Sequence, residues 1–228
     1  TGQQASKHYV TDLSLYEQSF MTTFIQFYGK PEDYCILALL PSYLEREGSS
    51  LIYMVDHLIK ASGHVDSGFY LNDLDRLAET LKRLDNQGQK VLLIGVSFAL
   101  LDLVERFQFN LKHTTVMETG GMKGRRKELI REELHALLQD GFGVSQIHSE
   151  YGMTELLSQA YSTGHGVFKC PPHMQLLIRD SEDALSYLQQ GKTGGINVID
   201  LANIDSCSFI ATQDLGRQIH TNTFEILG

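Results

Sequence analysis

Short unbroken apolar runs alternate with longer amphipathic ones in the first two thirds of this chain, and that alternation limits the fold more than any other feature. Residues 34–40, Tyr-Cys-Ile-Leu-Ala-Leu-Leu, and residues 91–96, Val-Leu-Leu-Ile-Gly-Val, have strand length rather than helix length. A strand wetted on one face alternates apolar with polar residues, so an unbroken run predicts a strand covered on both faces, as in parallel sheets. Pro41 closes the first run, and Ser97 follows the second where a helical stretch over 98–107 begins. Residues 65–70, 115–118 and 144–148 predict three further strands.

Segments of helical period lie between these runs. Thr11 and Asp12 can cap a helix carrying Leu15, Phe20, Phe24 and Phe27 on one face, with Gly29 as its stop. Ser49 or Ser50 opens a second helix through Leu51, Met54, Val55, Leu58 and Ile59. Leu74, Leu77, Leu81 and Leu84 mark a third within 71–84, and 125–139 a fourth. Strand, turn and helix recurring in this order pack as a right-handed, mostly parallel sheet flanked by helices, an α/β fold. The pattern changes near Tyr151. Strands are expected at 158–161, 174–179, 195–201, 208–213 and 223–227, too closely spaced for crossover helices, so this part reads as a mainly antiparallel β subdomain. There is no internal repeat and no low-complexity linker.

Composition narrows the function classes. A net charge of −9 over 228 residues argues against a nucleic-acid scaffold, which needs clustered Lys and Arg against phosphate. No apolar run approaches the ~20 residues of a membrane span. Cys35, Cys170 and Cys207 are odd in number and widely spaced, with no signal peptide, which favours a reducing compartment and places the chain by default in the cytoplasm. The absence of an initiator methionine suggests a piece of a longer polypeptide.

Residues 149–155, Ser-Glu-Tyr-Gly-Met-Thr-Glu, carry the clearest chemical signal. After a strand at 144–148, Gly152 permits a tight turn that presents Thr154 and Glu155 at the strand's carboxyl end, where open α/β sheets bind ligands. A hydroxyl there can hydrogen-bond a phosphate, and the adjacent carboxylate can hold the Mg²⁺ accompanying it. The competing reading is a helix N-terminus with an acidic first turn.

The segment resembles the Tyr-Gly-x-Thr-Glu motif of the adenylate-forming superfamily of acyl-CoA synthetases, luciferases and adenylation domains, and other landmarks come in that family's order. Thr1-Gly2, with Gln3 to Lys7 after it, looks like the tail of the phosphate-binding Ser-Gly-Thr-Thr-Gly loop. Glu118-Thr119-Gly120-Gly121 matches the strand-to-glycine turn against which adenine lies. Ala211-Thr212-Gln213-Asp214-Leu215-Gly216-Arg217 is similar to the Thr-Gly-Asp-Leu segment, with Gln213 in place of the usual glycine, and Ile226-Leu227-Gly228 looks like the lead-in to the hinge. Ser6-Lys7-His8-Tyr9, Thr119-Gly120-Gly121-Met122-Lys123-Gly124 and residues 207–214 point to the branch with phenylacetate-CoA ligase and the acyl-protein synthetase of bioluminescence. The start of the phosphate loop and the carboxyl-terminal lid with its lysine are not in the chain.

The resemblance implies ATP-dependent activation of a fatty or aromatic carboxylic acid to an acyl-adenylate. The acyl group then passes to a thiol of a protein cysteine, coenzyme A or a carrier protein. It implies an α/β nucleotide-binding lobe over 1–150 and, over 151–228, a β subdomain completing the adenylate site. Thr154 would contact the α-phosphate and Glu155 would ligate Mg²⁺. Thr1 and Gly2 would sit at phosphate, Gly120 and Gly121 would flank adenine, Tyr151 would close over the base, Gly152 would belong to the nucleotide site, and Asp214 would accept from the ribose hydroxyls. Arg217 suits the ribose or phosphate edge, or is a surface strand residue. Ser97 and Phe98, at a strand's carboxyl end, line the acyl pocket or serve as helix cap and core aromatic. His148 touches the substrate carboxylate or is a structural histidine.

Other readings fare less well. Cys170-Pro171-Pro172-His173 with His165 has a zinc-like spacing but lacks a second close pair, and a proline-stiffened turn accounts for it better. Lys123, Arg125, Arg126 and Lys127 alternate with Glu128, Glu132 and Glu133 as on a solvated helix face. No Gly-x-Ser-x-Gly elbow or strand-linked Gly-x-Gly-x-x-Gly turn is present, which removes serine hydrolases and dinucleotide dehydrogenases. A non-catalytic nucleotide-binding or interaction module is the rival from another class.

Overall fold

A computed structural model describes residues 7–40, 48–120 and 129–227. The chain divides into two compact units, one of residues 28–150 with 163–165, the other of residues 1–27, 151–162 and 166–228.

The first unit is built on parallel strands β1 (Cys35–Leu39), β2 (Gly68–Phe69), β3 (Val91–Val96), β4 (Thr114–Thr119) and β5 (His148–Tyr151) in the order β2-β1-β3-β4-β5. Every residue of β1 and β3 is buried, as the unbroken apolar runs require of strands covered on both faces. The crossovers are helices α2 (Ser50–Ser62), α3 (Leu74–Asn86), α4 (Ser97–Arg106) and α5 (Arg131–Phe142). Asp73 caps α3 by accepting from the Arg76 amide. The buried carboxylate of Asp85 receives the amides of Lys112 and His113 and the hydroxyl of Thr114, pinning the entry to β4.

Several boundaries differ from the sequence reading, two of them around Gly143 just before the motif. Helix α5, described from Arg131, runs past the expected end at 139 to Phe142, where Gly143 in the left-handed region ends it and donates to the Gln139 carbonyl; residues 125–128 of the expected helix lie outside the described residues. That cap delays the next strand. Val144 also donates to Gln139 O and the Gln139 amide holds Ser145 O, so 144–147 is consumed by the connection, and the ladder with β4 opens at Met117 opposite His148. The strand expected at 144–148 is therefore His148–Tyr151. Gly152 is not among the described glycines with positive φ, so a glycine-specific turn is not what ends the strand.

The second unit opens with helix α1 (Leu13–Tyr28, all but its last residue), whose Ser14 amide is received by Asp12 at 2.9 Å. Its strands β6 (Ala160–Ser162), β7 (Val167–Lys169), β8 (Met174–Arg179), β9 (Thr193–Asp200), β10 (Phe209–His220) and β11 (Thr223–Ile226) run antiparallel in the order β6-β7-β11-β10-β9-β8. Their inward residues, among them Phe168, Met174, Leu176, Ile196, Val198 and Phe224, form one core with Tyr151 and Leu156. Asn222 adopts φ 58° in the tight β10–β11 turn, a conformation asparagine tolerates.

Candidate active site

Tyr151, the last residue of β5, is 8 % exposed, and its ring packs edge-on against Phe168 and Phe224 with centroids 6.2 Å away in each case. Its hydroxyl donates to Oδ2 of Asp214 across 2.7 Å, joining residues 63 apart in the chain. Burial, then the adjacent Asp214 charge, hold the phenol far above its ordinary range, so the hydroxyl remains a donor. The phenol is committed to that carboxylate.

Thr154 and Glu155 lie in a turn closed by the Leu156 amide on the Met153 carbonyl at 3.1 Å, and no helix comes after it, which excludes the helix-N-terminus reading. Thr154 is exposed and Glu155 half-buried. The turn is braced from behind. Asn203 Nδ2 donates to the Glu155 carbonyl at 2.7 Å while its Oδ1 lies 2.9 Å from His8 Nε2. Asp200, fully buried, receives the amides of Leu157 and Ser158 at 2.8 and 3.0 Å and the Ser158 hydroxyl at 2.5 Å. Buried backbone donors left unmatched would be costly, so this carboxylate fixes the segment that carries the hydroxyl and the acid. The only sequence sign of this brace was a polar Asp-x-x-Asn ending an alternating strand. Arg217 Nε meets Glu225 Oε2 at 2.5 Å in the β10–β11 register, so its charge is matched across the hairpin.

In the first unit, the carboxyl ends of β3, β4 and β5 gather a polar cluster. Gly120 has φ 66°, which a glycine adopts without strain, and its carbonyl accepts the Ser97 hydroxyl at 2.7 Å. Ser97 is the first residue of α4 but makes no cap bond with its side chain; Glu118 Oε2 is its longer neighbour at 3.3 Å. His135 Nε2 lies 3.5 Å from both Glu118 Oε1 and Ser149 Oγ. Thr119 donates to Glu150 Oε2 at 2.6 Å. Burial pushes the Glu150 carboxyl up to about 7, partly offset by the Thr119 hydroxyl and reinforced by the charge of Glu118. His148 Nδ1 lies 3.2 Å from the Tyr28 hydroxyl, and burial lowers its proton affinity, features of a structural histidine. Phe98 is buried on α4.

Thr1, Gly2, Gly121 and the Lys123–Lys127 basic cluster lie outside the described residues. Of His165, Cys170 and His173, the last two lie in the second unit. His173 Nε2 bonds the Ser19 hydroxyl at 2.9 Å, the Cys170 thiol is pushed up to about 12 by burial, and no group of three metal-ligating side chains occurs among the described residues.

No family model matches the chain, and no curated protein matches it in sequence. Solved structures do match it in fold. Apo MatB from Rhodopseudomonas palustris superposes with a TM-score of 0.68 at 17% identity, covering 100% of this chain and 46% of that one. O-succinylbenzoate coenzyme A synthetase from Bacillus subtilis gives 0.64 at 16%, covering 93% and 45%. Coronafacic acid ligase from Pectobacterium brasiliense gives 0.62 at 16%, covering 94% and 43%. The chain has the fold of the adenylate-forming enzymes. It spans less than half the length of each of these three structures.

Proposed function

We propose that this protein activates a carboxylic acid with ATP and passes the acyl group to a thiol. The observation that carries the reading is the 2.7 Å bond from Tyr151 to Asp214, which unites the Tyr-Gly-Met-Thr-Glu and Thr-Gln-Asp-Leu segments at one place. Solved structures of this fold include a crystal structure of ATP-bound MatB and a structure of McyG A-PCP complexed with phenylalanyl-adenylate. Asp214, half-buried beside a hydroxyl donor, suits the ribose diol, and the Gly120 turn, its carbonyl held by Ser97, suits the edge of adenine. Thr154, exposed on a braced turn, contacts the α-phosphate. Glu155 is a hard oxygen donor next to that hydroxyl, the kind of partial ligand set from which Mg²⁺ is held together with phosphate oxygens and water. When bound, the ion supplies charge neutralisation at the phosphates.

In the proposed reaction a carboxylate oxygen of the acid attacks the α-phosphorus, the bond to the β-phosphate oxygen breaks, and pyrophosphate leaves. A thiolate then displaces AMP from the acyl carbon. The protein contributes alignment and electrostatics rather than a nucleophile. The residues that resemble the acyl-protein synthetase and phenylacetate-CoA ligase branch favour a fatty or aromatic acid, with a protein cysteine, coenzyme A or a carrier protein as acceptor. Three free cysteines fit a reducing, cytoplasmic setting, and no described helix is long and apolar enough to cross a membrane. Pyrophosphate release with ATP, Mg²⁺ and a panel of acids tests the reading. Release dependent on one acid class supports it, whereas ATP binding without release from any acid in the full polypeptide would leave a binding module.

A further inference from the structure

Asp214 lies where β10 leaves its ladder with β9. Ala211 pairs with Asn197 and Leu215 with Gly195, so residues 212–214 stand opposite the single residue Ile196. Three residues against one interrupt the backbone pairing of both strands, and such a bulge holds one shape only if the freed groups find other partners. Arg179, from β8, supplies them. Its Nη1 donates to the Ile196 carbonyl and to Asn197 Oδ1, each at 2.8 Å, and its Nη2 to the Thr212 carbonyl at 2.7 Å. The Thr212 hydroxyl donates to the Ile196 carbonyl at 3.0 Å and accepts the Asp214 amide at 3.2 Å. The guanidinium therefore ties together both sides of the bulge, using a planar fork that no other side chain offers. The space it occupies is kept open by Gly195, where a Cβ would lie 2.4 Å from the Arg179 Cζ.

We infer that Arg179 is a positioning residue for Asp214: by fixing the Thr212 carbonyl it holds the bulge in the shape that aims the Asp214 carboxylate at the ribose diol of a bound nucleotide. This rests on the reading of Asp214 as the ribose acceptor. A merely structural arginine would change overall stability; a positioning one changes how the protein distinguishes nucleotides with and without ribose hydroxyls.

The test is calorimetric titration with ATP and with 2′,3′-dideoxy-ATP, in the presence of Mg²⁺. Wild type is expected to favour ATP by roughly tenfold to a hundredfold, the range for charge-assisted hydrogen bonds to one carboxylate. Asp214→Asn should remove most of that preference. Arg179→Lys, which presents a point charge instead of a fork, should lower it comparably while leaving dideoxy-ATP affinity unchanged. Gly195→Ala keeps the arginine but displaces its flexible end, so it should produce the same loss, and it decides the matter if the lysine variant fails to fold. A wild-type preference retained in the folded variants overturns the inference and leaves the nucleotide reading standing. Equal binding of both nucleotides by wild type, by contrast, removes Asp214 from the ribose and overturns both.

Discussion

Ser97 gives its hydroxyl to the carbonyl of Gly120 across 2.7 Å, tying the start of α4 to the left-handed glycine just after β4. The two residues come from neighbouring strand ends, and the bond sets the direction of a carbonyl that would otherwise be free to reorient. Ser97→Ala is expected to cost about 1 kcal/mol of stability in urea titration, the usual net worth of one such bond. If Gly120 lies against adenine, the same variant should also lower the preference for ATP over GTP, measured by competition binding.

Glu150 should make stability depend on pH with a definite sign. Its folded carboxyl is raised to about 7 from an ordinary value of 4.5, so the folded state keeps the proton more readily than the unfolded chain. The resulting stabilisation is complete below about 4.5 and is lost as pH rises through about 7. Glu150→Gln keeps an acceptor for Thr119 without the ionisation. The variant is expected to gain on wild type between pH 5 and 8, by on the order of 2 kcal/mol. His148, whose proton affinity is lowered by burial, acts in the opposite direction below its ordinary range, and the comparison of the two proteins cancels it. A stability difference between the two proteins that does not change with pH would show that the Glu150 carboxyl binds its proton no more tightly in the folded than in the unfolded chain.

The Asp200 brace is expected to be among the costliest positions in the chain. Asp200→Ala strands the buried amides of Leu157 and Ser158 together with the Ser158 hydroxyl. A loss of about 3 kcal/mol or more should appear as a lower urea midpoint. Asn203→Ala releases only the Glu155 carbonyl and the His8 contact, so about 1 kcal/mol is expected. Its larger effect should fall on kcat, because the turn carrying Thr154 and Glu155 loosens. An Asn203 variant with unchanged kcat would detach the brace from catalysis.

Tyr151→Phe separates the core role of the ring from the role of its hydroxyl. The packing against Phe168 and Phe224 survives the change, and Asp214 loses one donor. An ATP affinity within about fivefold of wild type is expected, because the carboxylate stays in place and loses a single bond. Asp214→Ala should raise the KM for ATP by roughly tenfold or more with a smaller change in kcat. Equal effects from both would point to the hydroxyl as the nucleotide contact.

The parts of this molecule legible in its sequence are those governed by local period. The sequence bounds residues 91–96 and 174–179 correctly as strands, one by an unbroken apolar run and the other as a short apolar stretch punctuated by turn residues. The strand at 144–148 was displaced because Val144 and Ile147 look like strand residues, while the Gly143 cap spends that stretch on leaving α5. Strand β7 has only three residues, too few for a period to register, and β10 continues to His220 because a hairpin partner extends it. Motif residues were visible as types in order along the chain, yet what holds them was hidden. Arg179, Asp200 and Asn203 read as ordinary polar residues, and their importance arises from partners up to 195 residues away.

Acid-dependent exchange of labelled pyrophosphate into ATP tests the central claim most directly, because it reports formation and reversal of an acyl-adenylate without requiring the thiol acceptor. The full polypeptide should incorporate label only with Mg²⁺ and a suitable fatty or aromatic acid, and Glu155→Ala should abolish the incorporation while leaving the fold intact. Absence of exchange with every acid tried, from protein that binds ATP, would contradict carboxylate activation.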